Sequence, residues 1–63
     1  MQYKIIQLEN ATIIVPKGEI DAYLVPEFKQ VIEEQTERGN NTIIIDLKHV
    51  SYLDSSALGL LVS

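Results

Sequence analysis

Thr42-Ile43-Ile44-Ile45-Asp46-Leu47, followed a few residues later by Asp54-Ser55-Ser56-Ala57-Leu58-Gly59, is the stretch on which the fold turns. The first run is continuous and β-branched, and it reads as a strand buried on both faces. The second opens with an Asp directly before apolar residues, the position of a helix N-cap. Ser55 then falls in the first turn, where unpaired N–H groups and the positive end of the helix dipole converge. A hydroxyl there is exposed and faces a natural anion site. Phosphorylated, it would gain about −1.5 to −2 charges that a helix terminus tolerates. Ser55 therefore reads as a phosphoryl acceptor. The same residues also read as plain capping, since Asp and Ser satisfy free helix donors whatever else they do. The hexapeptide alone leaves both readings open.

Upstream, Tyr3–Leu8 and Thr12–Val15 are two β-rich runs separated by Glu9-Asn10-Ala11, and Asn tolerates the backbone that a hairpin turn needs. Pro16 marks an edge or an irregularity, because it cannot donate to a ladder, and Ile20 continues the run beyond a bulge. A helix is expected from about Leu24 to Arg38, with Leu24, Phe28, Val31, Ile32 and Gln35 as an apolar stripe ending in a polar residue. Pro26 suits its start, and Gly39 suits C′. Lys29, Glu33, Glu34 and Glu37 form its solvated face. A strand after a helix after a strand implies a parallel pair joined by a right-handed crossover. The final segment, Ala57–Ser63, is apolar at nearly every position and demands burial on several sides.

In order along the chain stand Gly18-Glu19-Ile20-Asp21, a helix, Ile43-Ile44-Ile45-Asp46-Leu47, and Val50-Ser51-Tyr52-Leu53-Asp54-Ser55-Ser56-Ala57-Leu58-Gly59. Together they resemble the STAS domain and, within it, the bacterial anti-sigma-factor antagonists. The resemblance spans essentially the whole chain. It departs from the family at Ala57, where Gly is common; Ala is the better helix former, but it adds a methyl beside the acceptor position.

Composition sets outer bounds. Sixty-three residues allow one small domain with a marginal core. The chain is 46% hydrophobic and 22% charged, as a globular chain is. It has no cysteine, and hence no disulfide framework or thiolate metal site. No apolar run is long enough for a membrane span, and Met1-Gln2-Tyr3-Lys4 lacks the features of a secretory signal. A cytoplasmic location is the simplest expectation. The net charge of −4, with Lys4, Lys17, Lys29, Arg38 and Lys48 scattered singly, points away from nucleic acid and anionic membrane and toward another protein as partner.

Other chemistries find little purchase. Asp46 at a strand end is superficially that of a response-regulator receiver, but the early acidic cluster that would hold its metal is missing. A hydrolase assembled from His49, Ser51 or Ser55, and Asp46 or Asp54 lacks Gly-x-Ser-x-Gly, and residues so close in sequence rarely form a triad. His49 in a polar loop reads as a surface residue. Zinc and calcium spacings are absent, and Gly18, Gly39 and Gly59 are too far apart for a phosphate loop. No cofactor and no enzymatic activity are expected.

The resemblance implies an α/β fold, a STAS-like mixed sheet with helices packed on it. Residues 1–63 would form one domain, incomplete at the C-terminus because further strand and helix units follow in the family. It implies binding to an anti-sigma factor that is also a serine kinase, phosphorylation of Ser55 to break that complex, and a phosphatase to reset it. Asp21, Asp54, Ser56 and Leu58 would contact the partner, with Ser56 a capping alternative to the acceptor. The alternative is a STAS module of an anion transporter or multiprotein scaffold without phosphorylation. With the apolar residues after Ala57 uncovered, the 63-residue form is expected to self-associate.

Overall fold

The computed structural model describes residues 1–39 and 42–62. Its organising element is β2 (Thr12–Ile20), a nine-residue strand that every other strand pairs with. On one side β1 (Gln2–Gln7) runs antiparallel, from Gln2↔Lys17 to Gln7↔Thr12. On the other side β3 (Ile43–Ile45) and β4 (Val50–Leu53) run parallel to it, one after the other. The sheet is mixed and four-stranded. Two helices, α1 (Val25–Glu37) and α2 (Ser55–Val62), complete the chain.

The gap between β3 and β4 has a local cause. The Thr12 N–H donates to the Thr42 carbonyl at 2.9 Å and the Gly18 N–H to that of His49 at 3.0 Å. Backbone donors alternate along a strand, so the nitrogen of Pro16 faces the same side, and it has no hydrogen to give. The partner chain leaves the ladder there. It rejoins at Val50 and shifts register again between Gly18 and Glu19. Gly18 takes the left-handed φ of +81° that such a bulge uses. Pro16 thus marks an irregularity as expected, but inside the central strand rather than at an edge.

The two faces of the sheet differ. Ile14 and Ile20 face the helices and form the core with Phe28 and Val31 of α1 and Ala57 of α2; Ile5, Leu60 and Leu61 pack against it. Thr12 and Gln35 are buried beside them. The Thr12 hydroxyl donates to Gln7 Oε1 (2.9 Å), and Gln7 Nε2 donates to Gln35 Oε1 (3.1 Å), so the polar end of the α1 stripe is satisfied. Gln2, Lys4 and Ile6 of β1, with Ile13, Val15 and Lys17 opposite them, lie on the other face. Ile44, level with Ile13, joins them and is 45% exposed. The run 42–47 is therefore a three-residue strand with one open face, not a strand buried on both.

Helix α1 matches its expected span. Leu24 is its N-cap, Pro26 lies in its first turn, and Gly39 (φ +89°) donates to the Thr36 carbonyl at 3.0 Å. Strand β4 was not foreseen, and Ser63, in the last expected helix, lies outside the described residues.

Two glycines should respond in opposite directions. Gly18→Ala forces a Cβ into a left-handed conformation and should cost about 1–2 kcal/mol. Gly59→Ala, in helix α2 with nothing within 4 Å of the added carbon, should stabilise by up to about 1 kcal/mol. Urea denaturation followed by circular dichroism measures both.

Candidate functional site

The site lies at the carboxyl end of β2, where two turns meet. The Asp54 N–H donates to the Ile20 carbonyl at 3.0 Å, which fixes the start of α2 against the residue preceding Asp21. Asp54 then caps α2 in the expected way. Its Oδ1 accepts the Ser56 N–H at 2.8 Å, and its carbonyl accepts the Leu58 N–H at 3.0 Å. Asp21 shapes the other turn: its Oδ1 accepts the N–H groups of Tyr23 (3.0 Å) and Leu24 (3.3 Å), leading the chain into α1. Both carboxylates are half-buried, and each is anchored to backbone donors.

Ser55 is the first residue of α2 and is exposed, as is Ser56. Helical spacing puts Ser55, Leu58, Gly59 and Val62 on one face. That face is open, with Leu58 52% and Val62 77% exposed, while Ala57, Leu60 and Leu61 turn inward. The buried Ala57 methyl thus points to the core rather than toward the Ser55 hydroxyl. A serine at the tip of an apolar helix face, beside two fixed carboxylates, is accessible to a docked protein.

The topology brings Asp21, Asp54, Ser55 and Ser56 to one end of the sheet, with Leu58 one turn along α2. It separates Asp46 from them. Asp46 follows β3 opposite Ile14, six residues and about 20 Å along β2 from Ile20. There its Oδ1 accepts the Lys48 N–H at 3.1 Å, and Lys48 Nζ lies 3.8 Å from Oδ2. The hydrolase grouping that joined Asp46 to Ser55 has no geometric basis. One residue was missed: Tyr23, 91% exposed in the Asp21 turn. The signal available was an aromatic off the helical stripe, directly after a turn-forming Asp.

A family model for the STAS domain matches residues 2–63. The chain belongs to the STAS domain family. Over 45 residues it is 44% identical to an anti-sigma-B factor antagonist of Staphylococcus aureus, which covers 71% of this chain and 42% of the relative. A protein of the same name from Staphylococcus epidermidis is 42% identical over the same length. The structure superposes on the unphosphorylated anti-sigma factor antagonist SpoIIAA with a TM-score of 0.75 at 25% identity, covering 97% of this chain and 57% of that one. The phosphorylated form of the Bacillus protein gives 0.74. The chain thus spans about half the length of the relatives it matches.

The cap is separable from the charge. Asp54→Ala should lower stability by about 1 kcal/mol, whereas Asp54→Asn, which keeps the accepting oxygen, should change it by only a few tenths. Equal losses in thermal melts of the two variants would assign the effect to the carboxylate charge instead.

Proposed function

We propose that this chain acts as an anti-sigma-factor antagonist: it binds an anti-sigma factor with serine kinase activity and is released when that kinase phosphorylates Ser55. The observation that supports the reading is the exposed Ser55 at the first position of α2, next to a capping Asp54 tied to the end of β2. Relatives named for this activity add weight, as does a neighbour described in phosphorylated and unphosphorylated forms.

The kinase supplies ATP and metal, and this chain supplies a nucleophile. The Ser55 Oγ attacks the γ-phosphorus, the bond to the ADP oxygen breaks, and the hydroxyl proton passes to a base on the kinase. Before transfer, the open α2 face of Ser55, Leu58 and Val62 offers apolar contact, and Tyr23 offers an aromatic anchor of the kind that dominates interfaces. Ser56, Asp54 and Asp21 border that surface. After transfer, a dianion stands among Asp54 and Asp21. Like-charge repulsion and the cost of desolvating the phosphate oppose the complex, while the helix N-terminus keeps the fold tolerant of it. A phosphatase restores the hydroxyl. Such a switch operates in the cytoplasm. The exposed Leu58 and Val62 also favour self-association of the chain.

Incubation with the cognate kinase and ATP, followed by mass spectrometry, should place phosphate on Ser55. Phosphate on Ser56 alone, or on neither serine with an active kinase, overturns the proposal. Ser55→Asp should keep the circular dichroism spectrum and weaken kinase binding about tenfold or more, ~1.4 kcal/mol. Loss of the folded state would make Ser55 a structural residue.

A further inference from the structure

On the sheet face away from the helices, the register sets Lys17 opposite Gln2 and Val15 opposite Lys4, so the two lysines are diagonal neighbours. The loop between β3 and β4 adds His49, pinned there because its carbonyl accepts the Gly18 N–H. Gln2, Tyr3, Lys4, Val15, Lys17 and His49 line one pocket of about 440 Å³. Val15, only 7% exposed, gives it an apolar side. Three of the six Lys, Arg and His side chains thus meet at one place in a chain of net charge −4. Residues that are scattered in sequence converge in space.

The three side chains are uncommitted. Lys48 is paired with Asp46, whereas Lys4, Lys17 and His49 have no side-chain hydrogen bond or ion pair among the described residues. The nearest carboxylate on β2 is Glu19, two positions beyond Lys17, and it does not line the pocket. Two ammonium groups, an imidazole and a carboxamide together offer several donors around one space. That set suits an anion with several oxygens and more than one charge. A site of this volume takes a small molecule, and two lysines with one histidine are too few to track a nucleic-acid backbone.

We propose that this pocket binds the phosphoryl group of a phosphorylated molecule, held by Lys4, Lys17 and His49. Its location is independent of the Ser55 tip, so Ser55→Ala leaves it unaffected. The phosphate could come from a free metabolite or from a lipid headgroup, and the experiment has an arm for each.

The ¹⁵N-labelled chain is titrated with pyrophosphate at low ionic strength, with sodium chloride at matched ionic strength as control. Saturable amide shifts are expected at Gln2–Lys4, Val15–Lys17 and His49. Lys4→Gln combined with Lys17→Gln should weaken binding about tenfold, two exposed contacts together reaching that size. Lys17→Gln alone should weaken it less, and Lys29→Gln on α1 should leave it unchanged. In the second arm the protein is sedimented with phosphatidylglycerol vesicles. Co-sedimentation lost in the double variant, without pyrophosphate binding, assigns the phosphate to a headgroup. Shifts that sodium chloride reproduces, that gather at Ser55–Ala57, or that survive in the double variant overturn the proposal. So does binding in neither arm.

Discussion

A missing hydrogen at Pro16 governs how this sheet is assembled. A strand of nine residues flanked on both sides would ordinarily pair with two unbroken partners. Because Pro16 offers no donor toward β3 and β4, the partner chain can bond to either end of β2 but not to its middle. The detour lets the chain advance by two extra residues between the Thr12↔Ile43 pairing and the Ile20↔Leu53 pairing. Those residues decide where β4 ends, and so where Asp54 meets the Ile20 carbonyl. The placement of Ser55 at the tip thus follows from an imino acid on the other side of the ladder. The same detour carries His49 out over Lys4 and Lys17.

The sheet divides its work between its faces. One is closed by Phe28, Val31 and Ala57 and holds the fold; the other stays open and gathers positive charge. The helices divide differently. The outward face of α1 carries Lys29, Glu33, Glu34 and Glu37, which water accommodates, whereas the outward face of α2 carries Leu58 and Val62, which it does not. An apolar outward face next to an exposed hydroxyl sets α2 apart from α1.

Much of this was legible in the sequence because it is local. The Asp54 cap, the Pro26 and Gly39 helix ends, and the hairpin between β1 and β2 each depend on a few neighbouring residues whose backbone preferences agree. The α1 stripe from Phe28 to Gln35 was legible because its period is long enough to be unambiguous. Strand β4 was not, since Val50-Ser51-Tyr52-Leu53 is short, half-polar, and pairs only because β2 is long enough to receive it. The burial of 42–47 was misjudged for a related reason: three isoleucines in a row carry no alternation, so nothing marks Ile44 as the one that faces out. In the site, the turn and capping roles of Asp21 and Asp54 could be read from residue type. The exposure of Tyr23 and the meeting of Lys4, Lys17 and His49 could not, because both are products of register.

The bonds from Thr12 to Gln7 and from Gln7 to Gln35 have a consequence for how errors are rejected. Side chains on a strand change faces with every step, so a slip of one residue in the β1–β2 hairpin would carry Gln7 to the open face. Thr12 would keep its burial, and its hydroxyl would lose the Gln7 acceptor. Each buried polar group left unmet costs about 1–3 kcal/mol. Ile5 and Ile6 of β1 are near-equivalents that would exchange faces at little cost, while Lys4 would turn toward the helices and add to the penalty. In so small a chain the amide pair is therefore a proofreader: it adds little to the correct alignment, but it taxes the wrong one.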